Sequence, residues 1–203
     1  MLNKGRGTLL RSRDLGKDYH VGTNVVKALD GVDINVRQGE FVCIAGRSGS
    51  GKSTLLSLLA GLESPSRGMI EILGKRVDLM DEKKRLRLRK KHIGFVFQLY
   101  NLMPQYTTLE NVALPLAIRG IPLRQRNEIA MQALRLVDLA DHAAHKPTEL
   151  SGGQQQRVGI ARAIITKPAL VFADEPTGNL DSRTSAEIMA LLTSIFRSWG
   201  TTF

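Results

Sequence analysis

The stretch Gly46-Arg47-Ser48-Gly49-Ser50-Gly51-Lys52-Ser53 has the spacing G-x-x-x-x-G-K-S, which suits a loop that holds a polyphosphate. Successive backbone N–H groups in a tight loop form an anion-binding nest. A helix opening at the end of that loop adds roughly half a positive charge at its N-terminus. Gly46 and Gly51 permit turns that a Cβ would obstruct. The Lys52 ammonium can reach β- and γ-phosphates, and the Ser53 hydroxyl is a ligand for Mg²⁺. A chance lysine in a glycine-rich turn is the bland alternative, and the flanks argue against it. Phe41-Val42-Cys43-Ile44-Ala45 before the loop reads as a buried strand, with Cys43 a small core residue. Thr54-Leu55-Leu56-Ser57-Leu58-Leu59 after it reads as a helix start.

A second stretch supplies carboxylates. Leu170-Val171-Phe172-Ala173 reads as a buried strand that delivers Asp174 and Glu175 at its C-terminal end, the edge at which open α/β sheets bind ligands. Asp174 is placed to hold Mg²⁺, directly or through water. Glu175, one residue on, is a candidate general base for an attacking water. Gln98 also follows an apolar run, Ile93-Gly94-Phe95-Val96-Phe97. A neutral amide there orients water or touches the metal, although a polar residue at a strand end is common and decides little alone. Leu150-Ser151-Gly152-Gly153-Gln154 reads as a helix N-terminus with two glycines and a hydroxyl, a second phosphate binder. Its distance along the chain from Gly46 suggests a separate use. A head-to-tail pair of chains would bury two nucleotides between them, each held by the loop of one copy and the second helix end of the other.

The elements that must position these residues follow from pattern. Residues 8–45 look β-rich, with candidate strands at Leu9 to Leu15 and Val25 to Val36, the latter broken near Asp30-Gly31. The helix from Lys52 ends near Gly61-Leu62, and Met69 to Leu73 alternates as a strand. Asp81 to Lys91 is a charged helix with seven basic residues. Such a run is usually a solvated face, the alternative being contact with acidic lipid or nucleic acid. No aromatic is interleaved in it for base stacking, which weakens the nucleic-acid version. Thr107 and Glu110 form a capping box opening a helix that Pro115 interrupts, and a second helix runs from about Leu123 to Leu139. Residues 105–150 therefore read as a helical subdomain. Ser151 and Gln154 form another capping box, opening a helix to about Ile165, and the last helix runs from Ser182 to about Ser198. Thr201-Thr202-Phe203 looks like the start of a further strand. Strands alternating with helices argue for an α/β fold with a mostly parallel sheet wrapped by helices.

Composition bounds the reading. The 203 residues suit one globular unit, and no apolar run is long enough for a transmembrane helix. Met1 to Gly7 lacks the apolar core of a signal peptide. A single cysteine precludes an internal disulfide and fits a reducing cytoplasm. A net charge of +10 admits nucleic acid, an anionic membrane surface or a nucleotide as partner and does not choose among them.

The motif order resembles that of the ATP-binding cassette (ABC) ATPases, and the likeness covers nearly the whole chain. Gly46 to Ser53 matches the Walker A loop, continuing into Thr54; Asp174 with Glu175 matches the end of Walker B; Gln98 matches the Q-loop glutamine. Leu150 to Gln154 matches the signature motif, Asn179-Leu180-Asp181 the D-loop, and Tyr19 the aromatic that stacks on adenine. The resemblance implies a P-loop NTPase fold with a mostly parallel core sheet, an N-terminal antiparallel β subdomain and an inserted α-helical subdomain. It implies ATP and Mg²⁺ as ligands, a homodimer in which Ser151 and Gly153 contact the partner's γ-phosphate, and a transmembrane permease as partner. Peripheral placement on the inner face of the cell membrane follows, and no nucleic acid is expected. Gly94 to Gln98, Asn101-Leu102-Met103-Pro104, Leu109-Glu110-Asn111-Val112 and Glu175 to Asp181 look like the lipoprotein-release and macrolide-export branch, which includes the cell-division ATPase. A mechanical role in cell division and a soluble nucleic-acid-associated ABC protein are the alternatives; a GTPase or small-molecule kinase has no use for the signature stretch. One departure stands out. The family pattern continues into a strand ending in a histidine that contacts the γ-phosphate, whereas His20, His92, His142 and His145 all precede Asp174. The expectation is a single ATP-binding domain over 1–203 that is C-terminally incomplete, with hydrolysis impaired more than binding.

Overall fold

The computed structural model describes residues 7–203, so most of the Met1 to Gly7 leader reading lies outside the described residues. The chain divides into two compact units, one of residues 7–89 with 202–203 and one of residues 90–201.

In the first unit, alternation of apolar and polar residues builds an antiparallel sheet. Strands β1 (Thr8–Val21) and β2 (Asn24–Arg37) form a hairpin around Gly22-Thr23. Gly22 takes φ 60°, the left-handed value that two-residue hairpin turns require. Strands β3 (Arg67–Ile72) and β4 (Lys75–Arg76) extend the sheet in the order β2-β1-β3-β4. The expected break at Asp30-Gly31 is a bulge inside a continuous strand. Leu15 pairs with Val32 and Lys17 with Leu29, so β2 carries one residue more than β1 between those pairs. Helix α1 (Lys52–Leu59) lies against β1 and β2 and buries Leu55, Leu58 and Leu59. Helix α2 (Glu82–His92) buries only Leu88. Arg85 and Arg89 pack beside Leu88 with 14% and 19% of their side chains exposed and pair with Glu82, while Asp81 pairs with Lys84 on the solvated side.

The segment before the phosphate loop departs from expectation. Residues 41–45 are extended but form no ladder, and Phe41, Val42 and Cys43 are exposed. Cys43 is therefore not a core residue. Within this unit the segment's backbone pairing is confined to its start. Phe203 donates to Glu40 O (3.0 Å) and accepts from Val42 N (2.8 Å), while the Phe41 and Phe203 rings stack with centroids 5.6 Å apart. One residue bonded to both neighbours of its opposite is the parallel pattern. Two such bonds leave Cys43 to Ala45 outside a ladder, and apolar type alone does not cover a side chain.

In the second unit, strands β5 (Ile93–Val96) and β6 (Leu170–Ala173) pair in parallel, Ile93 opposite Leu170 through Val96 opposite Ala173. Helices α3 (Thr108–Ile118), α4 (Leu123–Leu136), α5 (Gly152–Ile164) and α6 (Ser182–Trp199) complete it. Val112 and Leu116 of α3, Ala130 and Leu134 of α4, and Val158 and Ala161 of α5 share one core. Gly94 is required by packing, because a Cβ there would lie 2.2 Å from Ala163 O. The Thr107–Glu110 capping box is present: Thr107 Oγ1 accepts from Glu110 N (3.2 Å), and Glu110 Oε2 accepts from Thr107 N (2.8 Å). Pro115 does not interrupt α3, which runs on to Ile118. A proline loses one intrahelical bond, but burial of Val112, Ala113 and Leu116 around it holds the helix together.

Candidate functional site

The first unit carries the phosphate-binding half. The 46–51 loop turns through Gly49 (φ 77°) and Gly51 (φ 85°) into α1. Gly51 is the N-cap of α1 and places no side chain on the helix end, nor does an acidic residue occupy the first turn. The first-turn N–H groups thus meet no competing carboxylate from their own helix. A Cβ on Gly51 would meet Ala28 O at 2.6 Å, and one on Gly46 would meet Ser50 Oγ at 2.6 Å, so both glycines are fixed by close approach. Lys52 Nζ curls over the loop and donates to Gly46 O and Arg47 O, each at 3.0 Å. Ser53 is exposed on the first turn of α1. Tyr19, near the end of β1, donates its hydroxyl to Glu63 Oε2 at 2.8 Å. Burial pushes its pKa up, Glu63 adds to the rise, and the neighbouring Thr54 hydroxyl opposes it.

The second unit carries the acidic and signature residues. Parallel pairing of β5 with β6 brings Gln98 and Asp174 to one sheet edge, where Asp174 N donates to Val96 O (3.0 Å). Glu175 leaves that edge with φ 42°, a left-handed conformation uncommon outside glycine, and its carbonyl accepts from Gly178 N (2.9 Å). A Cβ on Gly178 would lie 2.9 Å from Gln98 Nε2, and Asn179 Nδ2 donates to Gln98 O (3.2 Å). Gln98 is thereby packed against the turn that follows Glu175.

The Leu150 to Gln154 stretch opens α5 as the capping box requires. Ser151 Oγ accepts from Gln154 N (3.3 Å), and Gln154 Oε1 accepts from Ser151 N (2.8 Å). Its glycines are spaces for neighbours. A Cβ on Gly152 would meet the Tyr100 hydroxyl at 3.0 Å, and one on Gly153 would meet Thr184 Cγ2 at 2.6 Å. Thr184 is itself tied to Asp181, which caps α6 by accepting from Arg183 N and Thr184 N (3.0 Å each) and from Thr184 Oγ1 (2.6 Å). The Thr184 hydroxyl and amide hold the Asp181 carboxyl below its usual range. The second unit therefore carries Gln98, Asp174 and Glu175 at its sheet edge and Ser151, Gly153 and Asp181 at the starts of α5 and α6, while the first carries Tyr19 and the Gly46 to Thr54 stretch.

Two positioning residues escaped the sequence reading. Arg162 of α5 donates from Nη1 to Asn101 O and from Nη2 to Tyr100 O, both at 2.6 Å. Tyr100 and Asn101 have left-handed φ of 58° and 48°, so the guanidinium braces an unfavourable turn just after Gln98. Burial lowers the Arg162 pKa. The signal was an arginine inside the apolar run Ile160-Ala161-Arg162-Ala163-Ile164. Asn111, fully buried, accepts from Met103 N (2.8 Å) and donates to the carbonyls of Met103, Tyr106 and Thr107 at 3.0–3.2 Å. It closes the loop that Arg162 opens, and only its polarity at a helical core position hinted at this.

Residues 29–178 match the model of the ABC transporter family. The chain is 46% identical over 195 residues to the lipoprotein-releasing system ATP-binding protein LolD of Alcanivorax borkumensis, covering 96% of this chain and 86% of that protein. It is 50% identical over 180 residues to the ABC transporter ATP-binding protein YtrE of Bacillus subtilis, covering 89% and 78%. Among solved structures, the ATP-binding cassette MJ0796, a dimer in a post-hydrolysis state bound to ADP and Pi, superposes with a TM-score of 0.89 at 40% identity, covering 96% of this chain and 85% of that one.

Proposed function

The chain belongs to the ABC transporter family of ATP-binding proteins, and from that premise we propose that it is the ATP-hydrolysing subunit driving export or lipoprotein release through a separate membrane subunit. ATP is its nucleotide and ATP hydrolysis its reaction. The observation that carries the reading is the second phosphate-binding helix end, Ser151 to Gln154, braced against the Asp181 cap of α6. An enzyme acting alone on one nucleotide has no need of it. A dimer of ATP-binding domains does, and the MJ0796 cassette is such a dimer.

Within this reading the Gly46 to Thr54 loop cradles the phosphates, with Lys52 offsetting the charge that develops on the transferring phosphoryl group. Ser53, Asp174 and Gln98 offer a hydroxyl, a carboxylate and an amide oxygen, the hard donors that suit Mg²⁺. When bound, that ion would supply charge neutralisation to the phosphates. Glu175 takes a proton from the attacking water, and Gln98 orients that water. Tyr19 stacks on the adenine. Ser151 and Gly153, with Asp181 behind them, complete the site of the partner copy. We assign one ATP-binding domain to the chain, with residues 105–150 as its helical insertion. No helix among the described residues is long and apolar enough to cross a membrane. The proposed place of the chain is the inner face of the membrane, against the permease. Similarity to LolD and YtrE, both named as transporter subunits, favours transport over a cell-division or nucleic-acid role.

Affinity purification of the tagged chain from detergent-solubilised membranes tests this. The expected result is a co-purifying multi-spanning permease, retained in high salt. Recovery with ribosomes or nucleic acid and no membrane protein would overturn the transport assignment.

A further inference from the structure

Tyr19 does not stand alone on its strand. Lys17 precedes it by two residues in β1, so both side chains leave the same face of the sheet. The Lys17 ammonium sits 5.0 Å from the Tyr19 ring centroid, within cation–π range. It is held there by Ser64 O at 2.8 Å and Glu63 Oε2 at 3.4 Å. Glu63 Oε2 is the same atom that accepts the Tyr19 hydroxyl at 2.8 Å. One carboxylate oxygen thus fixes both the ring's far end and the cation over the ring.

The turn that carries Glu63 and Ser64 is in turn stitched to β1. Ser66 N donates to Gly16 O (2.9 Å), and Asp18 N donates to Ser66 Oγ (3.0 Å). The exit of α1 and the strand bearing Tyr19 are one piece of structure. Lys17 is mostly buried, with 16% of its side chain exposed, so its charge is committed to this place rather than to solvent.

We propose that Lys17 and Glu63 are positioning residues for nucleotide recognition. They orient Tyr19 so that one ring face is covered by the Lys17 ammonium and the opposite face is left to the purine. The inference rests on the reading of Tyr19 as the adenine-stacking residue. The arrangement makes Lys17 and Glu63 determinants of base affinity with no contact to phosphate. Their loss lowers affinity for the nucleoside part of ATP and leaves the phosphate part alone. The ammonium also polarises the ring it covers, so a neutral replacement weakens stacking even where the ring stays in place.

The test measures the affinity of the chain for ATP and for inorganic tripolyphosphate, both with Mg²⁺, by calorimetry. The variants are Tyr19→Ala, Lys17→Met, Glu63→Gln and Lys17→Arg. The expected result is that Lys17→Met and Glu63→Gln each weaken ATP binding by roughly 3- to 10-fold, as loss of a partly desolvated cation–π contact or a charged hydrogen bond does. Tripolyphosphate affinity stays at the wild-type value, and Lys17→Arg restores ATP affinity. If Tyr19→Ala weakens ATP binding while Lys17→Met and Glu63→Gln do not, the positioning inference fails and the Tyr19 reading stands. If Tyr19→Ala also binds ATP as the wild type does, the Tyr19 reading fails and the inference with it. Equal losses for ATP and tripolyphosphate in Lys17→Met would show that the network holds the loop rather than the ring, and would overturn the proposal.

Discussion

At the scale of single residues, Arg162 shows how the turn after Gln98 is braced from behind. Its guanidinium spends two donors on the carbonyls of Tyr100 and Asn101, both in left-handed conformation. Such residues persist only when their surroundings over-determine them. Replacing Arg162 with Met leaves two carbonyls without their charged donor and should destabilise the second unit by about 1–3 kcal/mol. Turnover should fall further than that loss of folded protein explains, because Gln98 precedes the turn. Urea unfolding beside initial-rate measurements checks it, and unchanged stability with unchanged turnover would show that the turn holds itself. Glu175 is a further residue with a backbone cost, leaving β6 at φ 42°.

At the scale of elements, the two helix N-termini proposed to bind phosphate are built by opposite means. Helix α1 begins at Gly51 with no capping side chain, whereas α5 begins with a full Ser151–Gln154 box. The first has its loop to shape it; the second is set by what packs against it, since Thr184 of α6 fills the space beside Gly153. Gly153→Ala should therefore cost about 1–3 kcal/mol of stability through overpacking. In a Thr184→Ser background, which removes Cγ2 and keeps the hydroxyl bonded to Asp181, most of that loss should disappear. Thermal unfolding of the four combinations measures it, and strict additivity would mean that Thr184 is not the obstruction. The capping boxes, β5 with β6, and the loop-to-helix transition at Gly51 were legible because each rests on local chemistry. The buried strand at residues 41–45 was misread for a related reason. Five apolar residues state a preference for burial, but burial depends on partners distant in sequence, and here the pairing within the unit stops at Val42. Pro115 misled in the other direction, because one missing hydrogen bond was outweighed by core contacts on three helices.

At the scale of the whole molecule, the candidate site residues fall on two units. Tyr19 and the Gly46 to Thr54 loop share the first; Gln98, Asp174, Glu175, Ser151, Gly153 and Asp181 share the second. Each of these residues was singled out by a short, chemically constrained motif. The supports were hidden, because Lys17, Glu63, Asn111 and Arg162 act through contacts with residues up to 62 positions away. The basic surplus of +10 is an attribute of the molecule rather than of the site. It favours encounter with anionic surfaces in general and selects no partner.

The central claim, an ATPase whose base is Glu175, is tested most directly by the Mg²⁺-dependent turnover of Glu175→Gln beside the wild type. A positioned general base contributes about 100- to 10,000-fold in rate. The account predicts a loss of that order in the variant with ATP binding retained and a dimer accumulating in size-exclusion chromatography. Wild-type turnover in Glu175→Gln would contradict it.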